Sequence, residues 1–370
     1  MQSVIDDSNL GETVIADEPV VSIVVPCRNE RDHIESCVRS ILQQEALSGE
    51  LEIIVADGMS DDGTRETLVK LAAQDQRLRI VDNPIGVTPA GMNIGIRQAR
   101  GRYVAIMGAH NTYASDYLCR SIEIIEQHGA DNVGGAVICD AKSPLQRAIA
   151  AAHHSPFSVG GARWHNVNYE GPADTVFGGV YRREVFGRIG LFDEELVRNQ
   201  DDEFNLRLTR AGGKIWHSPK IKSWYTPRGS ISALFLQYRQ YGYWKVRVIQ
   251  KHKLPASVRH LIPGCFVLSL IILSMASVLS ASAFWVLLAL AGLYSLCNLT
   301  ASLLTAGRNG GALVLVLPVV FAAYHFGYGL GFLHGMWDFL ILRRRPSHKY
   351  TKLSRSTVGV NSFVDADRFK

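Results

Sequence analysis

The residues with the clearest potential for chemistry lie in two acidic segments of this 370-residue chain. The first, D-G-M-S-D-D-G-T at residues 57–64, follows a short apolar run, and the second is N-Q-D-D-E at residues 199–203. At the end of a strand, the Asp57 carboxylate can accept a hydrogen bond from the N3–H of a uracil-like base or from a ribose hydroxyl. The alternatives are that Asp57 only caps the next helix, and that the second segment is an acidic helix start that complements the helix dipole.

Short apolar runs alternate with helical patterns and would position the first segment. We predict strands at Val20–Pro26, Leu51–Ala56, Leu78–Val81 and Tyr103–Met107. This alternation predicts an α/β fold with a parallel, doubly wound sheet, whose ligands bind beyond the carboxyl ends of the strands. We therefore expect the polar loops at residues 26–30, 57–62 and 108–110 to converge on one crevice. Asp62 is the predicted N-cap of the helix that follows it.

Composition argues against several functional classes. The net charge is +5 at pH 7, and its excess flanks an apolar region, but no nucleic-acid-binding module accompanies it, so we expect no nucleic-acid partner. The cysteines are scattered without a C-x-x-C pair, which indicates neither a zinc site nor a redox dithiol. We expect free thiols in a reducing compartment at Cys27, Cys37, Cys119, Cys139, Cys265 and Cys297.

The second half of the chain predicts membrane segments. Between Arg259 and Arg308 there is no Asp, Glu, Lys or Arg, and residues 261–281 and 284–305 are each long enough to cross a hydrocarbon core of ~30 Å. A third apolar segment, residues 312–342, is interrupted by glycines. Three crossings would place the basic residues 343–345 outside, whereas two crossings plus a re-entrant or interfacial segment keep both basic flanks inside. We favour the second topology.

These patterns divide the chain into five parts and predict its location. Residues 1–19 carry no signal-peptide pattern, so we expect the first half to stay cytoplasmic. The aromatic and basic stretch at residues 234–249 predicts an amphipathic helix at the membrane interface. The predicted parts are a flexible N-terminal tail (1–19), a catalytic-type domain (20–230), an amphipathic interfacial segment (231–260), a membrane region (261–342) and a basic C-terminal tail (343–370).

Two motifs carry a resemblance to a known family. The sequence V-S-I-V-V-P-C-R-N-E at residues 21–30, followed by V-A-D-G-M-S-D-D-G-T at residues 55–64, resembles the start of family 2 glycosyltransferases with the GT-A nucleotide-sugar fold, and is most similar to the succinoglycan-biosynthesis branch. The resemblance implies a GT-A domain, a Rossmann-like fold for nucleotide-diphospho-sugars, followed by transmembrane helices. The donor-binding residues that it implies are Pro26, Arg28, Glu30, Asp57, Asn93 and Gly108.

The family also implies a divalent cation, Mn²⁺ or Mg²⁺, near the fourth strand. Its D-x-D-like motif takes the form D-A-H in the succinoglycan branch and Gly108-Ala109-His110 here. By this match His110 is the metal ligand, and imidazole suits Mn²⁺ better than Mg²⁺. Gly108 offers no side-chain ligand where the family has a carboxylate. The alternative is that His110 is a partly buried structural histidine.

Further matches imply a base and an acceptor side. Residues 199–207 resemble the family's E-D-x-D/E…R element, which makes Asp201 the general base and Asp202 the second candidate, with Gln200 replacing the usual Glu. The loop at residues 175–181 resembles the acceptor-side loop, and residues 240–245 resemble the Q-x-x-R-W element, although a plain turn and an aromatic membrane belt are the alternatives. The acceptor-side residues implied are Gly178, Gly179, Gln240, Trp244 and Lys245.

The resemblance implies a membrane-anchored, inverting glycosyltransferase. It would move a sugar from a nucleotide donor, expected to be a UDP-sugar, to a polyprenyl-diphosphate-linked saccharide on the cytoplasmic face of the inner membrane, as in bacterial exopolysaccharide synthesis. A polyprenyl-phosphate acceptor is the nearest alternative. A second is a degenerate GT-A scaffold in a polysaccharide assembly complex, suggested by Gly108 and Gln200.

Overall fold

The computed structural model of this chain describes residues 19–45, 49–135 and 137–351. Nearly all of the predicted N-terminal tail and the part of the predicted basic C-terminal tail from Lys352 onward lie outside the described residues.

A central sheet has the strand order β3-β2-β1-β4-β9-β6-β10-β8, and a smaller sheet has the order β5-β11-β7. The strands are β1 (Val21–Cys27), β2 (Leu51–Asp57), β3 (Leu78–Asp82), β4 (Tyr103–Ile106), β5 (Asn111–Tyr113), β6 (Asn132–Gly135), β7 (Val137–Cys139), β8 (Gly171–Pro172), β9 (Phe177–Arg182), β10 (Ile215–His217) and β11 (Ser223–Tyr225).

The first four strands follow the sequence prediction closely. Strand β1 lies between β2 and β4 and is parallel to both, with Cys27 opposite Asp57 in the register of β1 and β2. The predicted polar loops after these three strands therefore begin at the same edge of the sheet.

The other half of the sheet differs from the fully parallel prediction. Strand β9 runs antiparallel to both of its neighbours, β4 and β6. The sequence between Asp131 and Trp224 lacks the regular strand–helix alternation that parallel neighbours need, so the sheet is mixed.

Helices cover both faces of the sheet. Their apolar sides meet the strands in two buried clusters, one around Ile23, Ile34 and Ile53 and the other around Phe204 and Leu208. The helices of this domain are α1 (Ile34–Leu42), α2 (Thr64–Ala72), α3 (Thr88–Gln98), α4 (Tyr117–His128), α5 (Pro144–His153), α6 (Pro156–Val159), α7 (Glu184–Ile189) and α8 (Gln200–Arg210).

The predicted N-cap of α2 is displaced by one residue. Gly63 occupies that position with φ 99°, and Asp62 precedes it. The Asp62 Oδ1 atom still accepts the Thr64 backbone N–H at 3.0 Å, so the carboxylate reaches the helix start from one residue further back.

The remaining helices form a compact apolar unit. They are α9 (Ile231–His252), α10 (Ile262–Ala276), α11 (Ala281–Asn309) and α12 (Leu317–Gly335), and a π-helical turn at Met336–Ile341 follows α12. Two helices are long and apolar enough to cross a membrane, Val258–Ala276 and Ala281–Asn309. Their apolar side chains are largely exposed, as at Met275 and Trp285, which is unfavourable in water and suits a lipid environment.

Helix α12, which forms most of the third apolar segment, is packed inside this unit. A Cβ added to Gly331 would lie 2.0 Å from the Arg239 carbonyl oxygen of α9, and one added to Gly329 would lie 2.5 Å from the Pro263 carbonyl oxygen of α10. The glycines that interrupt the segment thus let the three helix backbones approach closely. Tyr243 and Trp244 of α9 are fully buried, so they do not form an exposed aromatic belt.

Candidate active site

One cavity of about 870 Å³ connects the strand ends with the apolar helices. We call the part lined by the loops after β1 and β4 the donor end and the part lined by residues of α10 and α12 the apolar end, and the start of α8 also lines the cavity. The sequence-predicted residues that line the cavity are Pro26, Arg28, Glu30, Gly108, His110, Gly178, Gly179, Asp201, Asp202 and Lys245.

The loop after β1 is fixed to the acidic loop after β2. Asn29 adopts a left-handed conformation (φ 54°), and its side chain donates to Asp61 Oδ1 at 2.9 Å and accepts from the Asp61 N–H at 3.1 Å. The Arg28 guanidinium donates to the Gly86 carbonyl at 3.4 Å. These contacts hold Arg28 and Glu30, on either side of Asn29, against the cavity.

Asp57 lies beside the cavity and not in its lining. It is 1 % exposed at the end of β2. Its carboxylate accepts the Ser60 hydroxyl at 2.6 Å and pairs with Arg65 at 3.0 Å. Contact with a nucleoside would require one of these partners to give way.

Asn93 on α3 is also outside the lining, and it joins two parts of the chain. Its amide donates to the Phe192 carbonyl at 2.9 Å and accepts the Phe192 N–H at 2.9 Å. Asn93 thereby positions the segment that leads to α8.

His110 and Glu30 face each other across the donor end, with His110 Nδ1 and Glu30 Oε1 3.1 Å apart. No group of three His, Cys, Asp or Glu side chains arranged for a metal occurs among the described residues. The protein therefore offers two candidate ligands here, and a cation would have to take its other ligands from the donor's phosphates.

Gly108 has no room for the carboxylate that the family pattern expects. A Cβ added there would lie 2.8 Å from Asn111 Nδ2. The Gly108 N–H donates to the Tyr113 hydroxyl at 2.7 Å, which fixes the backbone. Gly108 can therefore contact a donor only through its backbone.

Asp201 and Asp202 lie in the first turn of α8, which follows Asn199 in a left-handed conformation (φ 62°). Asp201 is exposed to the cavity, where desolvation by the surrounding protein, together with the neighbouring Asp202 charge, raises the pKa of Asp201. Burial also acts on Asp202, but the Lys245 ammonium, which forms an ion pair with it, lowers the pKa of that carboxyl. The pKa values of the two carboxyl groups are thus shifted in opposite directions, and Asp201 is the more basic of the two.

Glycine is needed at each of the two acceptor-side positions, 178 and 179, for a different structural reason. Gly178 has φ 57°, a conformation that favours glycine, and its carbonyl accepts the Tyr117 hydroxyl. A Cβ added to Gly179 would lie 2.4 Å from Asn132 Oδ1. Both positions keep the β9 backbone open to the cavity.

Of the three α9 residues predicted on the acceptor side, only Lys245 lines the cavity. Gln240 accepts from Arg198 Nε at 3.2 Å, and the Trp244 indole donates to the Tyr350 carbonyl at 3.0 Å. Because both are buried and outside the lining, they can act on an acceptor only by positioning neighbours.

Sequence reasoning missed a group at the apolar end of the cavity: His165, Arg259, His260 and Tyr328. These residues come from separate segments, and no motif joins them. The one available signal was that Arg259 is the last charged residue before the long uncharged stretch.

Comparisons with known proteins bear on this site. The sequence profile described as Glycosyl transferase family 2 matches residues 22–190. Succinoglycan biosynthesis protein ExoA of Rhizobium meliloti is 34% identical over 244 residues, which cover 65% of this chain and 73% of the relative. A second relative is the dolichyl N-acetyl-alpha-D-glucosaminyl phosphate 3-beta-D-2,3-diacetamido-2,3-dideoxy-beta-D-glucuronosyltransferase of Methanococcus voltae. It is 29% identical over 240 residues, which cover 62% of this chain and 74% of the relative.

Among solved structures, the chain is similar to the mannosyltransferase PcManGT from Pyrobaculum calidifontis in complex with GDP-Man and Mn²⁺. The TM-score is 0.54 at 20% identity, covering 87% of this chain and 88% of the other. This likeness supports the expected GT-A-like fold.

Proposed function

Because the chain belongs to glycosyl transferase family 2 and is a glycosyltransferase, we propose that it is an inverting, membrane-bound enzyme that transfers a sugar from a nucleotide donor to a lipid-linked saccharide. We propose a UDP-sugar as donor, a polyprenyl-diphosphate-linked acceptor, and a catalytic domain on the cytoplasmic face of the inner membrane.

The observation that carries this proposal is the continuity of the cavity. Its lining includes Arg28 and His110 at the strand ends, Asp201 at the start of α8, and Pro263 and Tyr324 on the apolar helices. A soluble nucleotide-sugar can enter at the strand ends, while a lipid chain stays in the bilayer, because moving a long isoprenoid into water costs about 0.8 kcal/mol for each CH₂ group. The name of the Methanococcus voltae relative, which specifies a dolichyl-linked sugar phosphate, supports an acceptor of this class.

Asp201 is the proposed base. As the acceptor hydroxyl oxygen forms a bond to the anomeric carbon, Asp201 takes its proton, and the bond from that carbon to the diphosphate breaks with its electron pair on the leaving group. The raised pKa and exposure of Asp201 support this role over Asp202, which is held by Lys245.

A divalent cation fits the donor end in part. His110 and Glu30 would hold it together with the donor's phosphates, and it would offset the negative charge of the leaving diphosphate. The Mn²⁺ in the similar mannosyltransferase structure makes a cation plausible here.

Sugar transfer in membranes that contain the full chain tests the proposal. Radiolabelled UDP-sugars are supplied with lipid-extractable acceptors, with Mn²⁺ or with EDTA, and label is measured in the lipid phase. We expect label transfer by the wild type and its loss in Asp201→Asn. Undiminished transfer by Asp201→Asn would remove the base assignment, and absence of any donor binding would favour a scaffold in a polysaccharide assembly complex.

A further inference from the structure

The lining of the cavity contains an unusual concentration of unpartnered polar atoms. In the part of the chain that the structure describes, eight buried side-chain polar atoms lack a hydrogen-bond partner, and five belong to residues that line this cavity. Folded proteins pair nearly all such atoms, so a cluster of exceptions calls for an explanation, and a ligand is one.

Three of the five belong to side chains in the neighbourhood of one guanidinium group. His165 Nδ1, His260 Nδ1 and the Tyr328 hydroxyl are unpartnered, and each of these side chains lies within electrostatic range of Arg259. His165 is only 6 % exposed, so water does not readily satisfy its nitrogen. The three come from different parts of the chain, a 3-10 turn at Arg163–His165, a 3-10 turn at Val258–His260 and α12.

Arg259 is held in place and keeps donors available. It forms an ion pair with Asp174, and its side chain packs on Gly160, where an added Cβ would lie 3.1 Å from Arg259 Cβ. A guanidinium has five N–H donors, so one ion pair does not exhaust it. Planar guanidinium groups bind phosphate oxygens well.

The charge of the cavity favours an anion. Among the described residues, five Lys or Arg side chains and three carboxylates line it. Lys245, paired with Asp202, lies close enough to His260 for their charges to interact. Desolvation lowers the pKa of His165 well below its usual value, so its imidazole adds no charge, and the fixed cation is Arg259.

The location favours a lipid phosphate over the phosphates of a soluble nucleotide. Arg259 and His260 lie in the first turn of the candidate membrane-crossing helix Val258–Ala276. Lipid phosphates lie at the interface just outside the hydrocarbon core, which is the level of the first turn of such a helix. The strand-end loops that would hold the donor belong to the α/β domain, whereas Arg259 and His260 belong to the segment that leads into the apolar helices.

We propose that Arg259, His165, His260 and Tyr328 bind the phosphate of the lipid-linked acceptor. This inference rests on the proposed function in one respect, that the acceptor is a phosphorylated lipid. The site is next to Asp202 and therefore next to the proposed base, so an acceptor anchored here presents its saccharide toward Asp201.

The test measures two affinities of the full chain in phosphatidylcholine nanodiscs, one for added polyprenyl phosphate and one for UDP. Arg259→Gln should weaken polyprenyl phosphate binding about a hundredfold. Tyr328→Phe, which removes only a hydroxyl, should weaken it about fivefold. Neither should change the affinity for UDP.

Two matched controls address charge and folding. Arg308→Gln removes a basic residue at the end of the second candidate crossing helix and outside the cavity lining, and His217→Gln alters a buried histidine that also has an unpartnered nitrogen outside the lining. Both should leave polyprenyl phosphate binding unchanged. A loss in Arg308→Gln equal to that in Arg259→Gln would mean general attraction to an anionic surface and would overturn the inference.

Other outcomes separate this inference from the proposed function. Weaker UDP binding with unchanged lipid binding in Arg259→Gln would assign the site to the donor and overturn the inference. Competition by phosphatidylglycerol equal to that of polyprenyl phosphate would also overturn the inference. Arg259-dependent binding of polyprenyl phosphate without sugar transfer from any donor would support the site while removing the proposed function alone.

Discussion

The Lys245 ammonium on α9 forms an ion pair with the Asp202 carboxylate in the first turn of α8. This contact joins a helix of the apolar unit to the helix that carries the proposed base. The Lys245 side chain is only 7 % exposed, so the pair is shielded from bulk water. Removing one partner of such a pair leaves the other charge buried without compensation.

Lys245→Met should therefore lower sugar transfer. Methionine keeps the length and the apolar stem of the side chain but removes the charge that offsets Asp202. We expect kcat to fall about 10- to 100-fold, because fixed charges at an enclosed site act strongly on the reaction. Arg247→Met is the matched control, since Arg247 pairs with Glu195 outside the cavity lining. Wild-type turnover in Lys245→Met would contradict a role for the ion pair.

The pH dependence of kcat/KM should identify which carboxylate is the base. A base must be deprotonated, so activity falls as the pH drops through its pKa, and the raised pKa of Asp201 places this acid limb above that of an ordinary aspartate. The charged groups around Asp201 are Asp202 and Lys245, and the Tyr181 hydroxyl is nearby. Asp202→Asn removes the like charge and frees Lys245, and both effects lower the pKa of Asp201.

We therefore expect Asp202→Asn to retain measurable transfer with its acid limb moved to lower pH, measured with membranes over a range of buffers. Asp201→Asn should show no residual acid limb to measure. If Asp202→Asn abolished transfer at every pH while Asp201→Asn retained it, Asp202 would be the base.

The sequence predicted the first strands of the sheet well because their signals are local. Apolar runs that end in polar loops determined β1, β2 and β4, and parallel pairing then brought Arg28 and His110 to one edge. The antiparallel β9 could not be predicted, because its direction depends on a long connection without periodicity. The group around Arg259 was missed for the same reason: its members are far apart in sequence and meet only through packing.

Restoring the family's carboxylate at position 108 should not improve the enzyme. In Gly108→Asp the new Cβ would lie 2.8 Å from Asn111 Nδ2, so the buried Asn111 side chain or the strand-end loop must shift. Overpacking of this kind costs roughly 1–3 kcal/mol. We expect a lower melting temperature and no gain in Mn²⁺-stimulated transfer.

Gly187→Asp is the control for the added charge, because a Cβ at Gly187 meets nothing within 4 Å. Its melting temperature should stay near that of the wild type. A Gly108→Asp variant with normal stability and stronger Mn²⁺ stimulation would show that the loop adapts and that a second carboxylate ligand can be accommodated.

The packing of α12 on α9 predicts that the same substitution, glycine to alanine, changes thermal stability in opposite directions at two positions. At Gly331 an added Cβ would lie 2.0 Å from the Arg239 carbonyl oxygen, whereas at Gly292 on α11 it would meet nothing within 4 Å. Alanine favours a helix over glycine by about 1 kcal/mol. Gly292→Ala should therefore maintain or raise thermal stability in detergent.

Gly331→Ala should instead lower stability, because the helices must separate to admit the methyl group, at a cost of roughly 1–3 kcal/mol. Thermal unfolding of both variants, followed by tryptophan fluorescence, provides the comparison, and the fully buried Trp244 on α9 makes the signal sensitive to this interface. If the two variants melted alike, α9 and α12 would not be in backbone contact in the membrane. The cavity would then lose the wall that brings Tyr328 toward Arg259.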